Sequence, residues 1–482
     1  MFFQRKKRFE APNLLKGVVF SSKEAELGVG ALFLFAFFCV LFLFPLEFFS
    51  QLGLGILAVL FLVGVFIRIE WGIYALGIFA FFHGWEVAFS NYHITRNIVF
   101  LNSINAPIID FIALLLLPCS FIAFLLKMKN KTLSWSHLFW PSFFYACFLF
   151  IAIVSAKHSI TVESSLGIKN IFRPLLFIFL SYILLPHFFI QSEIVFKRFI
   201  SLWFWIGCAV ALFGLSSLFF VSHTGWLRIV PYSIGSFAPL GINHNLLAQV
   251  LVAILPLGFW LVLEKKEKNW YVFGTGLILL VALGTLSRAA WLSLFAQMLA
   301  FFFLFQNQFK SLLKKLTNTF LPLFLLVGVI VMYMVVFLNS SIVASSDNSR
   351  LEVTKIVWFY AKRAPLLGYG PGSFIPIIQD TYVHTIEFGE ALDAHGMIQK
   401  VLLEDGVLGL LFFGLFLISV LFLLYKSQKE NEFLVSKFMF IMAVGVIVFQ
   451  FFDTSYFNSI MWMPLGVALV SVGLFKNKKF FK

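Results

Sequence analysis

The chain has 482 residues, of which 61% are hydrophobic and 12% charged, with a mean hydropathy of +0.96. That much apolar surface cannot be hidden inside one soluble core, which excludes a soluble globular protein and leaves a polytopic membrane protein. The net charge of +14 does not indicate a nucleic-acid partner, because the basic residues recur at the ends of apolar runs instead of forming one stripe or patch.

The first residues, MFFQRKKRF, are basic. The apolar run from Leu27 to Leu46 that follows is long enough to span a bilayer and lacks a small-residue cleavage site, so it predicts an uncleaved first helix. Further spans are predicted over Leu52 to Ile67, Trp71 to Phe89, Pro107 to Leu126, Leu138 to Ser155, Ile171 to Phe189 and Phe199 to Val221. The remaining ones run Leu246 to Leu263, Trp270 to Leu286, Ala289 to Phe305, Phe320 to Leu338, Val407 to Tyr425, Phe438 to Phe452 and Ile460 to Phe475. Together they predict an all-α polytopic membrane protein with about 12–14 transmembrane helices. Cys39, Cys119, Cys147 and Cys208 lie singly within such runs, with neither disulfide nor metal-site spacing.

With the N-terminus in the cytoplasm and strict alternation, most of the 36 Lys and Arg residues fall on the cytoplasmic side. The exceptions are Arg96, Lys157, Lys169, Arg173, Arg228, Arg288, Arg350, Lys355, Lys362, Arg363 and Lys400, which this topology places outside. Both termini are then cytoplasmic. The expected organisation is 1–338 for the N-terminal helices, 339–406 for a long outside loop containing short helices, and 407–482 for the C-terminal helices.

The stretch from Ser349 to Gly409 is the only long polar segment between apolar runs. It gathers Arg350, Arg363, His384, Asp393, His395, Glu404 and Asp405. Arg288, in GTLSRAAWLSL, sits at a short outside junction. It reads either as a snorkelling residue that ends a helix or as a ligand for an anionic headgroup, for which a planar bidentate donor suits phosphate oxygens. Arg350 is expected to open the long loop after the polar run NSSIVASSDNS and to begin an interfacial helix that ends before Ala364-Pro365. LLGYGPGSF is either a structural turn or a place where the backbone approaches a glycan or diphosphate. In ALDAHGMIQKVLLEDGVLG, Asp393 can cap a helix carrying His395 near its start, with Gln399 on the same face. A histidine at a helix N-terminus is favoured neutral, as a general base requires. A solvated polar histidine is the alternative. His384, His244 and His223 are weaker candidates, and neither HExxH nor another metal-ligand spacing occurs.

LSRAAWLSL, SRLEVTKIVWFYAKRAPLLGYGPGSF and AHGMIQKVLLEDGVLGLLFF, with the upstream GINHNLLAQVLVAILPLGFW, together resemble the O-antigen ligase and polymerase superfamily of bacterial envelope glycan enzymes. The resemblance implies a membrane-embedded glycosyltransferase fold of the GT-C kind in the bacterial inner membrane, with the long loop periplasmic. It implies that Arg288 and Arg350 hold the diphosphate of an undecaprenyl-linked glycan, and that His395 activates the acceptor hydroxyl. Arg363, Tyr369, Gln399 and Asp393 are possible substrate-lining residues. The implied partners are an undecaprenyl-diphosphate-linked glycan donor, a lipid A-core or glycan acceptor, and membrane lipids, with no cofactor and no metal. The family usually carries asparagine after this histidine, where this chain has Gly396.

Three functions follow. A ligase would transfer a finished glycan to lipid A-core, or to a protein such as a pilin. A polymerase would join carrier-linked repeat units with much the same residues. A transporter would place its ionisable residues near the bilayer midplane, whereas here they collect at interfaces and in a loop.

Overall fold

The computed structural model describes residues 60–65, 70–82, 84, 86–88, 105–129, 136–157, 170–222, 226–234, 238–264, 269–306, 332–381, 393–431, 433–454 and 458–476. The predicted span from Leu27 to Leu46, and most of those from Leu52 to Ile67 and from Phe320 to Leu338, lie outside the described residues. The protein is an all-α polytopic membrane protein. Among the described residues six helices are long and apolar enough to cross a bilayer, and four shorter apolar helices accompany them.

In chain order, α1 covers Glu70–Phe79, and two three-residue strands, Glu86–Ala88 and Asn105–Pro107, pair antiparallel before α2, Ile108–Lys129. Then come α3, Phe139–Lys157, α4, Phe172–Phe189, and α5, Glu193–Phe220. After an irregular segment follow α6, His244–Glu264, α7, Asn269–Gly284, and α8, Arg288–Phe305. The polar region holds α9, Ser341–Ala361, and α10, Phe374–Gln379; α11, Met397–Asn431, α12, Leu434–Gln450, and α13, Ser459–Lys476, close the described chain.

The expected span from Trp71 to Phe89 is cut short. Its helix ends at Phe79 because the chain turns at Gly84, whose N–H donates to Pro239 O at 3.2 Å. A Cβ at this glycine would meet Ala238 O at 2.1 Å, so the approach tolerates no side chain. Apolar length alone does not register such a contact.

Bilayer-spanning helices that are apolar all round divide into central and lipid-facing ones by what they pack against. Helix α6 is almost wholly buried and packs on α5, α7, α8 and α12. Helix α8 instead exposes Leu292, Phe295, Met298, Leu299, Phe302 and Phe303, a face suited to lipid. One polar side chain joins three of them: buried Gln297 of α8 donates to Val252 O of α6 at 2.9 Å and lies over Gly445 of α12, where small residues let helices approach. On the other flank α4 is largely π-helical, and Arg173 Nε donates to Asp110 Oδ2 of α2 at 2.8 Å, with the Tyr182 hydroxyl on Asp110 Oδ1. A carboxylate this buried persists because both oxygens are satisfied.

The polar region is anchored by a break in α11 at Gly406, with φ 67° and ψ −167°. Across the break, Tyr369 and Gly370 N–H donate to Leu403 O and Glu404 O at 3.0 and 2.7 Å, and Val407 N–H donates to Pro365 O at 2.8 Å. These bonds hold the turn of residues 364–373 on the end of a membrane helix. A Cβ at Gly406 would stand 2.4 Å from Leu366 O in a backbone region that side chains disfavour. Gly406→Ala is therefore expected to cost at least about 2 kcal/mol, seen as a lower melting temperature of the detergent-purified full-length protein.

Candidate functional site

The turn between α7 and α8 sets the geometry of the polar site. Leu286 takes a left-handed conformation, φ 53°, that side chains avoid, and it is held there by burial against Phe337 and Val343. Ser287 follows as the N-cap of α8, its Oγ accepting from Ala290 N–H at 3.4 Å and donating to Asn245 Oδ1 at 2.7 Å. One hydroxyl thus ties the start of α8 to the start of α6. Ile229 N–H bonds Gly284 O at 2.8 Å, which brings the segment of residues 226–234 alongside.

A cavity of about 110 Å³ opens here, and Arg228, His244, Asn245, Arg288, Ser346 and Arg350 supply its polar wall. Leu286, Ala289, Phe337 and Val343 supply the apolar part. The N-termini of α6 and α8 both meet it, so positive helix ends and three guanidinium groups share one space. Arg288 Nη1 donates to Asp347 Oδ1 and Nη2 to Ser346 Oγ at 3.2 Å. Arg350 Nε is buried and has no hydrogen-bond partner among the described residues. Burial first, and Arg288 second, pull the Arg350 guanidinium below its usual range, while Asp347 and Asp453 oppose the shift. Such an arrangement can hold a polyanion.

Arg350 does not open the polar segment, as its sequence context suggests. The run NSSIVASSDNS folds into the first turns of α9, capped by Ser340 Oγ accepting from Val343 N–H at 3.5 Å, so Arg350 sits within the helix. His395 lies in the turn just before α11 and does not line the cavity. Asp393, expected as a helix cap, instead accepts from Lys400 Nζ at 2.7 and 2.6 Å and from Ala394 N–H at 2.8 Å. Gln399 Nε2 donates to Thr354 Oγ1 at 2.7 Å, one turn beyond Arg350, so α11 brings its His395 end toward Arg350. Arg363 and Tyr369 stand apart: the Arg363 guanidinium covers the Phe359 ring at 4.0 Å, and the Tyr369 hydroxyl donates to Tyr360 O at 3.3 Å. His384 and His223 lie outside the described residues.

The glycine-rich turn is structural. Gly368, Gly370 and Gly372 all have positive φ, but the N–H groups of Gly372 and Phe374 converge on the chain's own Glu404 carboxylate. Its anion site is already filled by a side chain.

Two residues escaped the sequence reading. Arg228 figured there only as one basic residue among several on the outer face. Asp453, in the turn between α12 and α13, gave no sign: its Oδ1 accepts from Thr454 N–H at 2.8 Å, its Oδ2 is buried without a hydrogen-bond partner among the described residues, and it acts electrostatically on Arg350. Thr454 Oγ1 donates to Ala394 O, joining this turn to the one that carries His395.

With that geometry in place, the comparison with known families is decisive for one part of the chain. Residues 273–414 match the O-antigen ligase family. The chain thus carries an O-antigen ligase domain, and Arg288, Arg350 and His395 all lie within it. Arg228, His244, Asn245 and Asp453 lie outside it. No curated protein matches the chain. The O-antigen ligase domain supports a glycan ligase or polymerase type of function in a membrane.

A Cβ at Gly396 would fall 2.5 Å from Phe451 O, so the turn leaves no room for a side chain there. Gly396→Asn is expected to push the His395 turn away from the turn of residues 451–454 and to lower the melting temperature of the purified protein. Burial raises the Asp453 carboxyl to about 6, against the opposing pull of Thr454 N–H and Arg350. The protonated form is thus favoured on folding, so stability from this group is complete below about pH 4 and is lost as pH rises through about 6. Thermal melts from pH 4 to 8 should show wild type losing on the order of 2 kcal/mol more than Asp453→Asn.

Proposed function

We propose that this protein is a glycosyltransferase that moves an O-antigen-type glycan from undecaprenyl diphosphate to lipid A-core at the periplasmic face of the bacterial inner membrane, with inversion and without a metal ion. The observation that carries the proposal is the convergence of Arg228, Arg288 and Arg350 with two helix N-termini on one cavity. Both termini face the cytoplasm in this reading and residues 339–406 face the periplasm, supported by the distribution of Lys and Arg.

A sugar diphosphate departs with its bonding electrons, and the charge that develops on the leaving oxygens needs cations fixed in advance. Arg288 and Arg350 supply them, backed by Arg228. His395 takes the proton of the acceptor hydroxyl as that oxygen attacks the anomeric carbon from the face opposite the diphosphate. One displacement at that carbon inverts it. The hydrogen bond between Thr454 and Ala394 and the electrostatic contact between Asp453 and Arg350 support this division, because they keep the histidine turn beside the arginine cavity. The undecaprenyl tail leaves this cavity toward lipid, in keeping with a site assembled at helix ends. Arg363 and Tyr369 are assigned no contact with substrate.

The test is transfer by purified full-length protein supplied with carrier-linked glycan and lipid A-core. His395→Ala should lower the rate by about 10²-fold or more, and Arg350→Ala by about 10²- to 10³-fold. Transfer that persists in His395→Ala would remove the base assignment. Extension of carrier-linked repeats without any lipid A-core would make the protein a polymerase, with its chemistry unchanged and its acceptor different.

A further inference from the structure

Beside the polar wall of the cavity, paired with Arg288, stands one carboxylate that the proposed chemistry does not use. Asp347 lies on α9, three residues before Arg350, and accepts from Arg288 Nη1; its neighbour Ser346 accepts from Arg288 Nη2 at 3.2 Å. The Asp347 charge also acts on Arg350. One carboxylate and one hydroxyl therefore present oxygens to the Arg288 fork where phosphate oxygens would bind, between the two arginines of the O-antigen ligase domain. Asp347 itself is half exposed, with 55% of its side-chain surface open. It can leave the guanidinium without breaking any packing.

The geometry points to Asp347 as an internal competitor for the diphosphate: it occupies Arg288 in the empty site, yields to the carrier when donor binds, and re-pairs with Arg288 as spent carrier leaves. The inference rests on the diphosphate reading of the cavity. Loss of the glycan leaves a diphosphate with an additional ionisable oxygen, so the product binds fixed cations more strongly than the donor does. Three arginines with no competing carboxylate would hold that product and slow each turnover. Asp347 offers Arg288 an alternative partner already tethered a few ångströms away, at high effective concentration. An exposed ion pair is weak enough to be displaced by a ligand that engages several arginines at once. Asp347 is thus a positioning residue, acting on the substrate through Arg288.

The probe is inorganic pyrophosphate, titrated calorimetrically into the full-length protein in detergent. Asp347→Asn should bind it about fivefold more tightly than wild type does. Asp347→Ser should shift binding in the same direction, which guards against an idiosyncrasy of one replacement. Arg288→Ala should weaken binding, and in the Arg288→Ala/Asp347→Asn double variant the gain from asparagine should vanish, as a pair acting through one contact requires. Unchanged or weaker binding in both Asp347 variants overturns the inference. So does a gain that survives in the double variant. If Arg288→Ala and wild type respond identically to pyrophosphate, including no response in either, the diphosphate reading of the cavity is what falls.

Discussion

The hydrogen bond from Ser287 to Asn245 is the contact on which the site depends. Ser287 is already occupied as the cap of α8, and its hydroxyl proton fixes α6 at the same point. Both helices are long and apolar enough to cross a bilayer, and joining their N-termini sets where two positive helix ends meet. The strained Leu286 is the cost of turning from α7 into α8 within so few residues, offset by the apolar cluster around it. Arg288 then projects from the first position of α8, and the remaining arginines are brought to it by a segment and a helix that pack over this turn.

The arginine cavity and the histidine turn are built by different means. The cavity is made of helix ends, and the helices that supply them are packed closely around Gln297 and Gly445. The histidine turn is held by contacts onto main chain: the Thr454 hydroxyl on Ala394 O, Gly396 against Phe451 O, and the break at Gly406. Under the proposed function, that difference would set a preorganised anion side against an acceptor side carried on turns.

Much of the helical framework was legible in the sequence because a bilayer sets a minimum apolar length, and α6, α8, α12 and α13 meet or approach it with no competing signal. Helix α1 was misjudged because its end depends on Gly84 meeting a distant loop. Arg288 and Arg350 were legible as arginines on the disfavoured side, yet nothing local showed that they share a cavity. That depends on α9 beginning at Ser341, capped by Ser340, in a run that polar residues disguised as loop. Asp453 was invisible for a related reason. Its significance comes from facing Arg350 across about a hundred residues of chain, and in sequence it is one polar residue in the short turn FFDTS.

The close approach of Gly396 to Phe451 also bears on how this region can diverge. A residue with a side chain after the histidine needs the turn between α12 and α13 to stand farther off, and that turn carries the aspartate beside Arg350. The two positions are mechanically linked, so a change at one strains the other. Among relatives, glycine or asparagine after the histidine should therefore covary with the length or composition of that turn, giving a signature of lineage legible without any structure.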